Sequence, residues 1–207
     1  KKLQALRVVM IQFNGGRNIG LCRRSVQKIA DEIIVVDSFS IDDTVRIATS
    51  LGAIVKQSPF DGYISQKNKA ISMANNDYVL LLDADESLSE GLSDSILKEK
   101  NDFTFSAYKM KRCNIFCGKP IRHGLWYPDK KLRLFDKRHG KCGGLNPHDR
   151  IVMNKMVKVK LLKGDLMHLT FNNLAEYKKR NEAVSTVAAQ SYYDAGLKTS
   201  VFKIILS

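Results

Sequence analysis

The chain has 207 residues, of which 44% are hydrophobic and 27% are charged, and its formal net charge at pH 7 is +13. This composition excludes an intrinsically disordered chain, and the length predicts one domain that buries roughly 70% of its unfolded surface. No apolar run approaches the ~20 residues that a transmembrane helix needs, so none is predicted.

Predicted strands and helices alternate in the first half of the chain. Nearly continuous apolar runs predict strands at 6–13, 32–37, 53–58 and 78–85, with helices between them and at about 89–100. The helix after the second strand has the clearest ends. Ser40 occupies an N-cap position with Asp43 three residues later, Ile41 begins an apolar stripe, and Gly52 terminates the helix. This order predicts an α/β fold with a mostly parallel sheet covered by helices on both faces.

The second half of the chain is less regular. The sequence predicts a strand region at 103–116, a Gly- and Arg-rich loop, a strand at 131–136 and another loop. A hairpin or strand at 161–171 and a long helix at about 174–194 follow. The first residues do not resemble a signal peptide, and we expect the apolar ending VFKIILS to continue into a membrane-facing extension.

Positive charge is concentrated in the middle of the chain. Counting Lys and Arg against Asp and Glu, residues 1–108 carry a net −1, residues 109–141 a net +9 and the remainder +5. Such a surface attracts nucleic acid, anionic lipid or phosphorylated glycans, and charge alone does not choose among them. The four cysteines do not form a disulfide framework. A zinc site from Cys113, Cys117, Cys142 and His139 is an alternative to free thiols, although it lacks the paired ligand spacing of zinc ribbons.

Three carboxylates follow predicted strands. Asp37 ends the second strand, and Asp83 and Asp85 end the fourth. The carboxyl ends of parallel strands lie along one edge of a sheet, where ligands bind in open α/β folds. Alternate residues of a strand point the same way, so Asp83 and Asp85 are expected to repel each other unless a cation lies near them. A turn or a helix N-cap is the structural alternative for this pair. The pattern predicts a Mg²⁺ or Mn²⁺ site that holds a diphosphate.

Competing nucleotide-binding motifs are absent from the sequence. The glycines of NGGRNIG, residues 14–20, do not have the G-x-G-x-x-G spacing, and the chain contains no G-K-[ST] motif. A dinucleotide-binding site and a P-loop are therefore not predicted.

Four segments resemble, in their order along the chain, the family 2 glycosyltransferases of the GT-A fold. They are DEIIVVDSFSIDDTVRIATSLGA (31–53), SQKNKAISMANNDYVLLLDADESLS (65–89), WYPDKKLRLF (126–135) and NPHDRI (146–151). The most similar branch contains the lipopolysaccharide-core glucosyltransferases and their capsule relatives. The resemblance implies a single GT-A domain, with a nucleotide-sugar-binding half at 1–102 and an acceptor-side half at 103–207.

The resemblance also implies an inverting transferase that uses a nucleotide-diphosphate sugar, most often a UDP-sugar. Asp37 matches the acid that binds the nucleobase, and Lys67 and Asn68 match residues near the nucleotide. Phe13 and Asn14, at the end of the first strand, are expected to complete this nucleotide-sugar site. Relatives carry an acid after the residue that matches Asn14, whereas this chain has two glycines at 15 and 16.

The metal motif of the family matches Asp83 and Asp85, with Asp85 the more direct ligand of Mg²⁺ or Mn²⁺. His168 is a possible third ligand, and the alternative is a hydrogen-bonded core histidine. Lys67 and the metal are expected to stabilise the charge of the departing diphosphate.

The acceptor side is expected to supply the general base. Asp149 matches that base in the resemblance, and His148 is expected to orient it or to contact the acceptor. Asp129 is the second choice, although YPD is also an ordinary turn sequence. Trp126 and Tyr127 are candidates for stacking on a sugar ring, with core packing as the alternative. A cell-surface glycan or glycolipid is the expected acceptor, and the protein is expected in the cytoplasm, at the inner face of the membrane.

Two alternative functions are compatible with parts of the sequence. YVLLLDADESL also resembles the Asp-x-Asp motif of haloacid-dehalogenase-type phosphatases, with Asp83 as nucleophile and Asp85 as acid/base. Against this, the motif lies on the fourth strand, and Ser87 stands where that family has Thr. The basic segment 109–141 suggests a nucleic-acid-binding module, although it lacks a known motif of that kind and a nucleic-acid partner is not expected.

Overall fold

The computed structural model describes residues 4–145, 148–154 and 157–197. The first half contains β1 (Leu6–Gln12), α1 (Gly16–Ser25), β2 (Glu32–Asp37), α2 (Thr44–Ser50), β3 (Ile54–Gln57), α3 (Tyr63–Met73), β4 (Tyr78–Asp83), β5 (Glu86–Leu88) and α4 (Glu90–Lys100). The second half contains β6 (Ala107–Phe116), β7 (Lys119–Pro120), a 3₁₀-helix at Gly124–Trp126, β8 (Asp129–Asp136), β9 (Gly140–Leu145), β10 (His148–Met153), β11 (Val159–Phe171) and α5 (Leu174–Asp194).

One nine-stranded sheet runs through both halves of the chain. Its order is β3-β2-β1-β4-β8-β6-β11-β5, with β7 paired to β6. Strands β3, β2, β1 and β4 are mutually parallel, as expected, whereas β8 is antiparallel to both of its neighbours, β4 and β6. Strands β9 and β10 form a separate antiparallel hairpin. The sheet is therefore continuous across the predicted nucleotide-sugar-binding half and the predicted acceptor-side half.

Two apolar cores cover the two faces of the sheet. One core joins inward residues of the strands to α1, α2 and α4, with Met10, Leu82 and Leu92 fully buried. The other joins the opposite residues to α3 and to the β9–β10 hairpin, with Val9, Leu81 and Phe135 fully buried. Successive residues of a strand point to opposite faces, so the continuous apolar runs of β1 and β4 are what a sheet buried on both sides requires. The prediction of helices on both faces is confirmed.

The packing of α4 against β11 depends on a glycine. Gly164 has φ = +91°, and a Cβ atom placed on it would lie 2.3 Å from the backbone nitrogen of Leu92. A left-handed φ and a backbone contact of this kind both favour glycine. This glycine therefore sets how closely α4 approaches the strand.

The start of α2 differs from the prediction. Ser40 does not cap the helix, because its backbone N–H and its hydroxyl both donate to the carboxylate of Asp37. Helix α2 begins at Thr44 with Asp43 at the N-cap, and Ile41 is 92% exposed instead of lying in the apolar stripe. The predicted capping box was wrong because the carboxylate of Asp37, only three residues earlier at the end of β2, accepts from both the hydroxyl and the backbone N–H of Ser40.

Strand β4 and the loop after β8 also differ from the predictions. β4 ends at Asp83, and Ala84 and Asp85 form a turn before the short strand β5, which was not predicted. Alternation along one strand therefore does not relate Asp83 to Asp85. The predicted loop after residue 136 contains the β9–β10 hairpin, while 161–171 lies within the single strand β11.

Helix α5 has the predicted bounds, and none of its residues is buried. Among the described residues, the structure contains no helix that combines the length and the apolar character needed to cross a membrane.

Candidate active site

A cleft of about 740 Å³ opens at the carboxyl ends of β1, β2 and β4. Residues that line it come from the ends of β1 and β4, from α3, β6, β10, β11 and α5, and from the loops that follow β1 and β2. The polar and charged residues that line it are Gln12, Asn14, Asn18, Ser38, Lys67, Asp83, Asp85, Arg112, His148, Asp149, His168 and Arg180. Predicted site residues from distant parts of the sequence therefore lie around one cavity.

Asp83 lies between two buried cations. Lys67 Nζ is 2.8 Å from Asp83 Oδ1, and Arg133 NH2 is 2.7 Å from Asp83 Oδ2. Burial alone would raise the pKa of Asp83, but Arg133 and Lys67 outweigh it and hold that pKa well below its usual range. The sequence predicted that a metal ion would compensate the charge of this carboxylate. At Asp83, the side chains of Lys67 and Arg133 compensate that charge instead. A direct metal-binding role of Asp83 stays a prediction.

Arg133 is held in place by a second carboxylate. Its NH2 group is 2.7 Å from Oε1 of Glu86, which is fully buried, and the other oxygen of Glu86 accepts from the backbone N–H of Asp83. Burial would lower the pKa of Arg133, but Glu86 and Asp83 raise it, so the guanidinium remains charged. Glu86 and Arg133 together fix the position of the Asp83 carboxylate. Neither was predicted, because only tertiary structure brings residues 83, 86 and 133 together.

Asp149 reaches the cleft on the β9–β10 hairpin. Its carboxylate is 9% exposed, lies 2.8 Å from Lys67 Nζ and accepts from the Cys142 thiol at 3.5 Å. Burial, with Asp149 beside it, raises the pKa of the Cys142 thiol to about 12, so the thiol remains a donor. Burial would lower the pKa of Lys67, but Asp83 and Asp149 raise it. Lys67 is thus a charged ammonium shared between the predicted metal motif and the predicted base.

Asn68 has a different position from the one expected. Its amide binds both backbone groups of Cys142, donating to the carbonyl and accepting from the N–H, each at 2.9 Å. The side chain thereby joins α3 to the hairpin, and it does not line the cleft as the described residues define it. We infer that Asn68 positions Asp149 through the hairpin; its expected place beside the nucleotide stays a prediction. His148, exposed at the start of β10, does line the cleft.

Asp85 and His168 form a second group of side chains in the cleft and lie close to each other. Asp85 Oδ2 is 3.6 Å from His168 Nε2, and His168 Nδ1 lies 2.7 Å from Asn114 Oδ1. The Asn114 oxygen can only accept, so Nδ1 donates in this contact, and Nε2 is the ring nitrogen that faces Asp85. This carboxylate–imidazole pair with an orienting partner has the donor chemistry and the outer hydrogen bond of a divalent-metal site.

The described residues contain no group of three His, Cys, Asp or Glu side chains that could hold a metal ion. The pair fits a metal that takes its remaining ligands from phosphate oxygens and water, as Mg²⁺ and Mn²⁺ commonly do. Arg180 on α5 lies 3.6 Å from Asp85 Oδ2 and adds a cation to this side of the cleft. Sequence patterns did not indicate Arg180, because α5 shows no motif around it.

One part of the cleft, near the predicted nucleotide-binding residues, has an aromatic rim. Phe13 is 61% exposed, and Phe60 and Tyr63 pack edge to face with ring centroids 5.1 Å apart. All three line the cleft, and exposed aromatic faces of this kind suit stacking on a base. Asn14 has φ = +48°, and its side-chain oxygen accepts from the N–H of Ile41. Asn14 therefore shapes the loop that borders this rim.

Asp37 is fully buried beneath that loop. Both of its carboxylate oxygens accept from Ser40, through the backbone N–H at 2.9 Å and through the hydroxyl. Ser38, one residue later, lines the cleft. Asp37 thus lies at the expected end of the sheet, and its contact with a nucleobase stays a prediction.

Gln12 is a polar cleft residue that the sequence reasoning missed. It is 9% exposed, and among the described residues its Nε2 atom has no hydrogen-bond partner. Its amide lies against Gly15, where an added Cβ would meet Nε2 at 1.8 Å. Gly15 therefore leaves space for this amide. A polar side chain at the end of the buried strand β1 was the signal for it.

The two predicted acceptor-binding residues, Trp126 and Asp129, are not among the residues that line the cleft. Asp129 is bound by Arg112 at 2.7 Å and by Lys131 at 3.2 Å, which weakens its case as a base. Trp126 packs edge to face on Phe116, and its carbonyl accepts from Asn114, the residue that orients His168. Tyr127 donates to Asp165 and is joined to Pro128 by a cis peptide bond. Sugar binding by Trp126 and Asp129 stays a prediction.

Comparison with known proteins decides the family. Residues 7–165 match the family described as glycosyl transferase family 2. The chain belongs to this family. It is 33% identical to an uncharacterized glycosyltransferase of Rickettsia typhi over 98% of this chain and 73% of that protein. The expected enzyme class, a glycosyltransferase, is thereby confirmed, and it replaces the phosphatase and nucleic-acid-binding alternatives.

Solved structures agree with the fold. Mannosyl-3-phosphoglycerate synthase from Rubrobacter xylanophilus matches 96% of this chain and 77% of its own, with a TM-score of 0.55 and 16% identity. At this identity the likeness shows the fold alone, and it confirms the expected GT-A architecture. Glucosyl-3-phosphoglycerate synthase from Mycobacterium tuberculosis, solved with Mn²⁺ and UDP, is 21% identical over 54% of this chain and 44% of its own, with a TM-score of 0.44. That likeness is too slight to transfer its ligands to this chain.

Proposed function

We propose that this chain is an inverting, metal-dependent transferase that moves a sugar from a nucleotide-diphosphate sugar to an acceptor hydroxyl. A UDP-sugar is the proposed donor. The observation that carries the proposal is the arrangement of one cleft, in which Lys67 joins Asp83 to Asp149 while Asp85 and His168 face each other nearby. The cleft thus combines a cation for a diphosphate, a metal-binding pair and a carboxylate base.

The donor is proposed to enter with its base at the aromatic rim. Phe13, Phe60 and Tyr63 offer ring faces and edges, and Gln12 offers an amide that lacks a partner among the described residues. A buried, unpaired amide costs free energy unless a ligand binds it, on the order of 1–3 kcal/mol. A uracil ring, with carbonyl acceptors and one N–H donor, is complementary to the two ends of that amide.

Asp85 and His168 are the residues that would hold Mg²⁺ or Mn²⁺. When bound, such an ion supplies Lewis-acid stabilisation for the negative charge of the departing diphosphate. Lys67 and Arg180 line the same cleft and add fixed positive charge. Preorganised charge of this kind costs no rearrangement during the reaction, which makes it an effective source of transition-state stabilisation.

Asp149 is the proposed general base. The acceptor hydroxyl attacks the anomeric carbon from the face opposite the diphosphate, and its proton passes to an Asp149 oxygen. A positioned base contributes ~10²–10⁴-fold to such a step. Lys67 Nζ lies 2.8 Å from an Asp149 oxygen, which holds the carboxylate in the cleft where the acceptor hydroxyl would approach.

The proposed acceptor is a cell-surface glycan such as lipopolysaccharide or capsule, at the inner face of the cytoplasmic membrane. The support is the net charge of +9 in residues 109–141, which suits a phosphorylated glycan or an anionic lipid surface. Asn114 lies in this basic segment and contacts both His168, which lines the cleft, and the carbonyl of Trp126. It therefore connects the basic segment to the cleft.

A thermal-shift panel of UDP, GDP, CDP and dTDP, with and without Mn²⁺, tests the donor site. We expect UDP to raise the melting temperature only when metal is present, and Asp85→Ala to abolish this shift. Asp94→Ala, an exposed carboxylate on α4, is the matched control and should retain it. A UDP shift of equal size without metal, or one retained in Asp85→Ala, would contradict the proposed metal site.

A second measurement separates the base from the donor site. Asp149→Asn is expected to keep the UDP shift and to lose UDP release from UDP-sugars in the presence of a glycan acceptor by about 10²-fold or more. Loss of both the shift and the release would assign Asp149 a structural role in the hairpin instead.

A further inference from the structure

We use the name 117–131 loop for the connection between β6 and β8 together with the first three residues of β8, and this loop carries an exposed apolar tip. Leu125, in the 3₁₀-helix of this loop, is fully exposed at 103% of its reference area, and Trp126 beside it is 37% exposed. Residues 117–120 and 122–126 are all exposed. An isolated exposed leucine is ordinary on a protein surface, but here it stands next to a partly exposed tryptophan in a run of exposed residues.

The base of the loop is held firmly against the body of the protein. The Trp126 ring packs edge to face on Phe116, which also contacts Phe171 and Tyr177. Backbone bonds join Ile121 to Asn114 at 2.8 Å and Cys117 to Phe171 at 2.8 Å. The tip is therefore presented in a defined position and does not fold back to bury Leu125.

The charge around the tip is positive. The loop contains Lys119, Arg122, Lys130 and Lys131 and a single carboxylate, Asp129. Asp129 is bound by Arg112 and Lys131, so its charge is compensated within the protein. Lys119 and Lys130 are exposed on either side of the apolar tip.

We propose that the 117–131 loop docks this protein on an anionic lipid bilayer, with Leu125 and the exposed edge of Trp126 in the headgroup region. Tryptophan and leucine favour that region, and neighbouring lysines bind anionic headgroups. One apolar contact or a few charges alone give weak binding, whereas the two together give useful affinity. This inference rests on the proposed function in one respect, the location at a membrane, and it names the residues that would contact that membrane.

A bilayer fits this loop better than a nucleic acid does. Nucleic-acid sites place aromatic faces and cations along a groove that follows the backbone. This loop instead presents a fully exposed aliphatic side chain, Leu125, where a base or a phosphate would gain little. Binding of RNA in place of vesicles is therefore an outcome that would overturn the proposal.

The chain contains one tryptophan, Trp126, so fluorescence excited at the red edge of the absorption band, where tyrosine does not absorb, reports on this loop. The whole chain is titrated with vesicles of phosphatidylcholine, with and without 30% phosphatidylglycerol. We expect a blue shift of the emission with the anionic vesicles and a much smaller one with neutral vesicles. The shift is expected to weaken as salt is raised, because the lysine contribution is screened.

Variants assign the binding to the loop, with co-sedimentation as a second measurement. Leu125→Glu is expected to bind anionic vesicles at least about tenfold more weakly, since it removes the apolar contact without removing any packing. Lys119→Glu with Lys130→Glu should lose at least about twentyfold, at roughly fivefold for each lysine removed near the surface. Lys56→Glu, an exposed lysine on β3 at the far edge of the sheet, makes the charge change of one of these two substitutions and should bind normally.

Three results would overturn the proposal. They are equal binding to neutral and anionic vesicles, an equal loss of binding in Lys56→Glu, and a fluorescence change with single-stranded RNA but not with vesicles. None of these measurements uses a nucleotide, a metal or an acceptor. Failure of the docking proposal is thus distinguishable from failure of the transferase proposal, which the UDP thermal shift tests.

Discussion

Lys67 gives the sharpest test of the buried charge network. Its ammonium is 4% exposed and lies 2.8 Å from both Asp83 and Asp149, so Lys67→Met leaves two carboxylates without a shared cation. Removing one partner of a buried ion pair costs about 3–5 kcal/mol. We expect the lower end, about 3 kcal/mol, because Asp83 is 31% exposed and keeps Arg133. For a chain of this length that free energy corresponds to a decrease in melting temperature of about 6–12 °C.

Lys69 on the same helix provides the matched control. It forms an ion pair of similar length with Asp61, at 2.7 Å, but the two side chains are 38% and 43% exposed. Lys69→Met is therefore expected to change the free energy of unfolding by no more than about 0.5 kcal/mol. Urea denaturation of both variants at pH 7.5 is the measurement. Equal destabilisation by the two substitutions would refute the reasoning that burial of the Lys67 network determines its contribution.

The effect of Lys67→Met also has a predicted pH dependence. The pKa of Asp83 is depressed in the folded protein, so its charge contributes stability above its unfolded pKa of about 3.9. That contribution is lost as the pH falls through the folded pKa. The difference in unfolding free energy between wild type and Lys67→Met should therefore be constant from pH 8 to pH 5 and smaller at pH 4. A difference that grows on acidification would show that another group dominates.

Two further predictions concern local geometry. Gly164→Ala places a Cβ 2.3 Å from the backbone nitrogen of Leu92 at φ = +91°, and it should lower the free energy of unfolding by about 3 kcal/mol or more. Gly118→Ala is the control, since Gly118 has φ = +76° and no atom within 4 Å of the added Cβ, and it should lower that free energy by about 1 kcal/mol. Urea denaturation measures both. Asn114→Ala removes the partner of His168 Nδ1 and should raise the Mn²⁺ concentration needed for half of the UDP thermal shift by about 10–100-fold, with little change at saturating metal. Equal costs for the two glycines, or an unchanged metal requirement, would contradict the respective arguments.

Most of the fold was predictable because local patterns and tertiary packing agree in the first half. The apolar runs of β1, β2 and β4 have the composition of doubly buried strands, and the left-handed Gly52 ends its helix as expected. The β9–β10 hairpin was not predictable from pattern. Its strands contain Gly140, Gly143 and Gly144, which carry no periodic signal, and it is held by Asn68 from a helix some seventy residues earlier.

The predictable part of the site is the part carried by strand ends. Asp83, Asp85 and Lys67 line one cleft because parallel strands and the helix beside them bring their ends to a common edge. The partners that decide the charge state of these residues lie outside such patterns. Glu86 follows a turn that the sequence suggested was strand, and Arg133 comes from a neighbouring antiparallel strand, β8. A sequence motif can indicate a carboxylate without indicating which cation neutralises it.

The adjacent positions of Lys67 and Asn68 on α3 have a mechanical consequence. Lys67 binds Asp83 at the end of β4, and Asn68 binds the hairpin that carries Asp149. A shift of α3 would therefore move the Lys67 ammonium and the hairpin together. The two halves of the cleft therefore behave as a single unit, and a swap of acceptor-side segments between relatives would need to keep the Asn68–Cys142 pairing to retain the donor side.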